Sequence, residues 1–273
     1  MEHISRINNK KIKLLRKLNL KSRIRKEKQI FIIEGLKETK HSIDAGYEIF
    51  KIFTTKKYLK ELESNPKLNQ LIKKNKLITI DDNIYKGLCY RSKTTKLLAI
   101  AKSKKHDLNS LVLKNKNPLI LILESIEKPG NIGAIIRTVN AAKIDLLMLS
   151  NLKTDLYNPN IIRSSVGCLF NTPIVISSSD EILSFIKKNN INLYSSTIES
   201  NSISFLEVSY KKGSAIAMGT EDKGLSKKWF INSKKNIKIP MLGYNNSLNV
   251  SVATGIIIYE ALRQRNMFEN LGS

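Results

Sequence analysis

Three polar clusters in the second half of the chain carry side chains and spacings able to do chemistry. They are Asn131-x-Gly133-x-x-x-Arg137, Gly219-x-Glu221-x-x-Gly224 and Ser247-Leu248-Asn249. Glycines permit backbone forms closed to other residues and let a ligand approach closely. All three histidines, His3, His41 and His106, precede residue 118. A Ser-His-Asp triad or histidine-held zinc is thereby excluded from the second half, and a histidine base is not expected. Cys89 and Cys168 fit neither a disulfide framework nor a metal-ligand spacing. The residues after Leu119–Leu123 read ESIEKPGNIG, so an ordinary dinucleotide glycine motif is absent, as is a P-loop lysine. What remains is chemistry by amides, a carboxylate, a hydroxyl and a guanidinium that stays charged at neutral pH. Taken alone, Arg137 reads as an ordinary helix arginine.

These clusters need elements to hold them. Leu119–Leu123 (LILIL) is continuously apolar, as a strand buried on both faces of a parallel sheet requires. Pro129-Gly130 make a turn, and Asn131 is expected to cap a helix carrying Ile135, Ile136 and Val139 inward. A strand at Asp145–Leu149 completes a βαβ unit. Further strands are expected at Asn192–Ser196, at Ser214–Met218 and in KIP before Met241. Leu248, Val252, Ile256, Tyr259 and Leu262 recur at helical spacing and predict an amphipathic core helix, closed by Arg263 and Arg265. In the first half, Ile7, Leu14, Leu15 and Leu18 mark one face of a basic helix, followed by the strand FIIEG and a small α/β alternation ending in LLAIA.

The 273 residues suffice for two modest domains: 1–105, a Lys-rich linker 106–117, and 118–273. Mean hydropathy is −0.22. No apolar run reaches the roughly eighteen residues of a membrane span, and the N-terminus lacks a signal-peptide core, so a reducing cytoplasm is expected. Net charge is +24 and points to a polyanion. Lys, Ile and Asn are abundant, as A+T-rich coding would produce, but the charge is uneven. Residues 1–114 hold 29 Lys+Arg against 11 Asp+Glu, and residues 115–273 hold 18 against 12. A nucleic-acid-binding front half follows. Its candidate RNA contacts are Arg23, Arg25 and Lys26 in KSRIRKEKQ, and Arg91, Lys93 and Lys96 in RSKTTK.

The wording of the three clusters, in this order, resembles the motifs of the SpoU (TrmH-like) RNA ribose methyltransferases of the SPOUT superfamily. KQIFIIEGLKET resembles the start of the substrate-binding domain that precedes the catalytic domain in many of them; its usual closing Pro-Gln-Gly-like turn is replaced by TTKLLAIA. The resemblance implies an α/β catalytic domain with a parallel sheet and a C-terminal trefoil knot. It implies S-adenosylmethionine held by Thr197, Met218, Gly219, Glu221, Gly224, Ile239, Pro240, Met241, Ser247, Leu248, Asn249 and Ala253. Backbone groups at Gly219, Ile239 and Leu248 would take the adenine and ribose. Arg137 would stabilise the 2′-alkoxide, Asn131, Ser247 and Asn249 would position RNA and loops, and Glu221 would brace the knot. Arg163-Ser164-Ser165 with Gly167 resembles the family's connector, with Arg163 a further RNA candidate. A homodimer, no metal and no membrane partner are implied. The substrate is expected to be ribosomal RNA; transfer RNA, or a catalytically silent RNA-binding scaffold in ribosome assembly, are the alternatives, and a DNA-binding protein loses on the motifs. Deleting 1–105 is expected to leave a folded catalytic domain.

Overall fold

The structure, a computed structural model, describes residues 2–74, 76–91, 94–199 and 201–267. The chain forms two units: residues 1–105 with 155–171, and residues 106–154 with 172–273.

In the first unit, five strands lie in the order β1-β4-β3-β5-β2: β1 (Glu2–Ile4), β2 (Ile30–Glu34), β3 (Ile49–Thr54), β4 (Leu77–Ile80) and β5 (Leu98–Lys102). β4 runs parallel to β1 and β3, while β5 is antiparallel to both its neighbours. The edge strand β1 was not foreseen, because three residues are too short to show a period. The basic helix begins at Lys10, capped by the Asn9 side chain on the Lys11 amide at 2.8 Å. It buries Ile12, Leu15 and Leu18, whereas Ile7 precedes it and is exposed.

Residues 155–171, expected in the catalytic domain, belong to this first unit. Leu156, Tyr157, Ile161, Ile162, Leu169 and Phe170 are buried there. The Tyr157 ring stacks on Phe31 at 4.2 Å, and its hydroxyl lies 3.2 Å from that of Tyr47. Sequence order hid this, since the segment is flanked on both sides by strands of the second unit.

The second unit is a seven-stranded, all-parallel sheet. Its strands are β6 (Leu119–Glu124), β7 (Leu146–Ser150), β8 (Ile174–Ser177), β9 (Asn192–Ser196), β10 (Ile203–Ser204), β11 (Ser214–Met218) and β12 (Lys235–Lys238). They lie in the order β10-β12-β9-β11-β6-β7-β8. β6, β7 and β11 are buried along their whole length, so both faces must be covered, as continuous apolar runs demand. Ile120, Met148, Ile182 and Trp229 belong to the core of this unit. The chain builds outward from β6 to β8, then crosses to β9 on the other flank, and β11 inserts between β9 and β6. Such a reversal of strand order leaves a crevice at the carboxyl ends of the strands, where α/β sheets take ligands. β6, β9, β11 and β12 all deliver loops there.

Candidate active site

β6 leads to the helix Pro129–Ala141. Its cap is Lys128, and Pro129 takes the first helical position, where a missing N–H costs nothing. Asn131 is therefore third in the helix rather than its cap, and its side chain is free to turn sideways.

β11 ends in a tight hairpin. The Thr220 and Gly224 backbones exchange hydrogen bonds of 3.2 and 3.0 Å. Gly224 has φ +63°, and a Cβ on Gly219 would sit 2.1 Å from the Gly224 carbonyl carbon. Both glycines are thus required by the turn itself. The hairpin presents Glu221.

The C-terminal helix, Val250–Gln264, is capped by Asn249, whose Oδ1 accepts from the Ser251 amide at 3.0 Å. Its Nδ2 donates to Glu221 at 2.6 Å and lies 3.3 Å from Asn131 Oδ1. Asn131 Nδ2 donates to Glu221 at 3.0 Å, and Lys128 forms an ion pair with the same carboxylate. One residue from each cluster therefore meets at Glu221. The Lys128 ammonium above all, helped by the Asn131 amide, holds the Glu221 carboxyl below the usual carboxylate range against the opposing cost of burial. Glu221 is an acceptor already engaged by three donors. Lys128 was missed in the sequence, where a lysine before proline reads as solvated surface.

A cleft of about 390 Å³ lies against this hairpin. Of the expected cofactor residues, Thr197, Met218, Gly219, Glu221, Gly224, Ile239, Met241, Ser247, Leu248 and Ala253 line it; Pro240 and Asn249 do not. Asn249 is spent on the helix cap and on Glu221, and Pro240 is exposed. Ile198 and Phe230 also line the cleft, unannounced by any motif. Among the described residues, the main chain of 239–248 makes no hydrogen bond to another residue, so its donors and acceptors are available. A second cleft of about 710 Å³ shares the hairpin and reaches Lys128, Asn131 and Lys153. The buried Glu124 on its wall accepts from Ser226 N at 2.7 Å, Ser226 Oγ at 2.8 Å and Ser179 Oγ at 3.1 Å, and so ties strand ends together.

Arg137 lines neither cleft. Six residues beyond Asn131, it stands roughly 9 Å further along the helix and about 120° around it. It is exposed and has no hydrogen-bond or ion-pair partner among the described residues.

Two expected RNA contacts are not available. Arg25 is 4% exposed and donates to Asp155 at 2.5 Å and to the Leu18 carbonyl at 2.6 Å. A guanidinium so enclosed would have to break a buried ion pair to meet phosphate. Arg163 lies 3.7 Å over the Tyr90 ring and beside Glu34, and burial lowers its pKa. Arg91 donates to Glu38 at 2.8 Å. Arg23 pairs with Glu27, and Lys96 with Glu61. Lys26 is exposed, and Lys93 lies outside the described residues.

No helix among the described residues is long and apolar enough to cross a membrane, and none of their His, Cys, Asp and Glu side chains form a metal-holding group.

Residues 118–259, just over half of the chain, match the model of the SpoU rRNA Methylase family, and residues 9–99 match the MRM3-like substrate binding domain. The 23S rRNA (guanosine-2′-O-)-methyltransferase RlmB of Blochmanniella floridana is 35% identical over 157 residues, 56% of this chain and 61% of that protein. A crystal structure of an RNA 2′-O ribose methyltransferase is 31% identical, covers 97% of this chain and 99% of its own, and has a TM-score of 0.81. An AdoMet-bound rRNA methyltransferase from Sinorhizobium meliloti, 22% identical, covers 96% and 97% at a TM-score of 0.86 and so shares the fold. The matched stretch contains the glycine-bounded hairpin, both asparagines that meet at Glu221 and most of the helix that Asn249 caps, and the chain belongs to the SpoU rRNA methylase family.

Proposed function

We propose that this protein is an S-adenosylmethionine-dependent methyltransferase acting on a ribose 2′-hydroxyl of RNA. The observation that carries the reading is the meeting of all three motifs at Glu221, beside a cleft walled by strand-end loops.

The cofactor fits the residues present. Met218, Ile239, Met241, Leu248 and Ala253 give an apolar wall for an adenine ring, and the unpaired main chain of 239–248 supplies donors and acceptors for its edges and ribose. Gly219 leaves room for the Gly224 and Leu225 backbone, so the hairpin that edges the cleft can close. When bound, S-adenosylmethionine supplies a methyl group on a positively charged sulfur. Glu221 keeps the hairpin, the Pro129–Ala141 helix and the C-terminal helix in register, which fixes the mouth of the cleft. Arg137 stabilises the negative charge developing on the ribose oxygen, and water or an RNA phosphate takes the hydroxyl proton, because a guanidinium is a poor base. Asn131, Ser247 and Asn249 orient the RNA and the loops around it.

Ribosomal RNA is the favoured substrate, with transfer RNA second. A C-terminal trefoil knot, a cytoplasmic location and a homodimer complete the proposal. Supporting the dimer, Val252, Ile256 and Tyr259 on the C-terminal helix are 51%, 37% and 45% exposed, with Leu248 just before them at 38%. Arg137 also lacks a partner among the described residues of its own chain, as expected where reacting groups meet between two copies.

The test is Arg137→Ala, assayed for methyl transfer and, by calorimetry, for S-adenosylmethionine affinity. Loss of one charged transition-state contact is expected to cost about 10²–10³ in turnover, with affinity within a few-fold. Near-wild-type turnover overturns the role of Arg137. Failure of the unaltered protein to bind S-adenosylmethionine favours the silent scaffold instead.

A further inference from the structure

The excess charge of the front half is concentrated in one place. Residues 10–28 hold ten Lys+Arg and one Asp+Glu, a net +9, which is half of the +18 carried by residues 1–114. Composition bias alone would spread it. These residues form two short helices, Lys10–Leu20 and Ser22–Lys28, separated only by Lys21.

Helical geometry sorts the charges. Ile12, Leu15 and Leu18 face inward. Lys10, Lys13 and Lys17 recur at i, i+3 and i+7 on the opposite face, with Arg16 beside them, and all four are exposed. Three of the ten cations are engaged: Lys11 by Glu2, Arg23 by Glu27 and Arg25 by Asp155. Lys10, Lys13, Arg16, Lys17, Lys21, Lys26 and Lys28 have no ion-pair partner among the described residues. The stretch contains no Phe, Tyr or Trp. Single-stranded nucleic acid is held by stacking bases on aromatic rings, whereas a row of ammonium and guanidinium groups alone addresses phosphates.

We propose that this helix pair is a phosphate tract that grips a double-helical stem of the RNA substrate through its backbone, without reading sequence. It replaces the Arg91–Lys96 loop and the buried Arg25 as the principal grip. The buried Arg25–Asp155 pair anchors the second helix from beneath. The inference rests on the RNA reading above and specifies which surface and which form of RNA.

The experiment compares two charge-matched variants of the full chain. In the first, Lys13, Arg16, Lys17 and Lys21 become Gln; in the second, four exposed lysines elsewhere in the same unit, Lys56, Lys57, Lys73 and Lys74, become Gln. Each is titrated at several salt concentrations against a short RNA duplex of arbitrary sequence and a single-stranded oligouridine. The tract variant should lose at least tenfold in duplex affinity near about 0.1 M salt, and its log–log salt slope should fall by about 3.6, at about 0.9 for each of the four contacts. The control should keep most of both, and both variants should keep wild-type S-adenosylmethionine affinity and melting temperature. Equal losses in the two variants would return the charge to mere composition, and an unchanged slope in the first removes the tract. Tighter wild-type binding of the single strand overturns the duplex assignment. These titrations measure no turnover, so a separate methyl-transfer assay of the wild type that came out silent would sink the enzymatic reading and leave the tract standing.

Discussion

Glu221 accepts from Lys128, Asn131 and Asn249 while its side chain keeps 24% of its surface exposed, so its part is electrostatic bracing by an ionised carboxylate. Its folded pKa is depressed, chiefly by Lys128. The stabilisation is therefore fully present above the unfolded value of about 4.3 and is lost as pH falls through the lower folded value. Melting temperatures of the wild type and Glu221→Gln should differ most near neutrality and converge at acid pH; a constant difference would show that the charge is idle. Arg25 poses the opposite case. Sequence offered it as one cation in a basic run, yet it is enclosed with Asp155, and breaking one side of a buried pair costs about 3–5 kcal/mol. Arg25→Ala should lower the unfolding free energy by that much, read from a lower denaturant midpoint, and leave the salt slope of RNA binding alone, the reverse of the tract variant. Asn131, Gly219, Glu221 and Asn249 were legible because their types and spacing survive as motifs. Lys128 and the fate of Arg25 were not, since a charge shows its partner only in three dimensions.

The C-terminal helix shows where periodicity stops. Its existence was plain, and its boundaries lie within two residues of the apolar stripe. The face was not. Leu248, Val252, Ile256 and Tyr259 point outward, while Val250, Thr254, Ile257, Ile258, Ala261 and Leu262 are buried. Two apolar stripes wind around one helix, and the inner one includes a threonine and an alanine that score weakly as core. The Thr254 hydroxyl satisfies itself on the Val250 carbonyl at 2.7 Å, so it can be buried cheaply. A helix apolar on two faces packs on two surfaces. The inner stripe has the sheet domain, and the outer is assigned to a second copy. Val252→Glu with Ile256→Lys should shift the molar mass in solution from dimer to monomer in sedimentation, with the far-ultraviolet spectrum unchanged. A monomeric wild type would remove the dimer from the proposal.

At the scale of the whole chain, the two halves of the sequence are not the two halves of the fold. Residues 155–171 leave the parallel sheet after β7 and complete the first unit before the chain returns to β8. The boundary near residue 105 follows from composition, but this excursion carries no compositional mark: it mixes apolar and polar residues in nearly equal numbers, as a connection within either unit would. Its six buried apolar side chains are each worth about 1.5–3 kcal/mol of transfer, together on the order of the net stability of an entire domain. Deleting residues 1–105 strips the cover from all of them. The fragment 106–273 is therefore expected to self-associate and bind the dye ANS, contrary to the simple reading in which the back half stands alone. Replacing residues 155–171 in that fragment by a Gly/Ser linker of equal length should restore a dispersed species that binds S-adenosylmethionine, because the cleft is lined by the segments after β9, β11 and β12, by Phe230 and by the start of the C-terminal helix, all beyond residue 171. Light scattering and calorimetry on both fragments decide the matter. If the fragment with its native segment is as dispersed as the one with the linker, the excursion is not what ties the halves together.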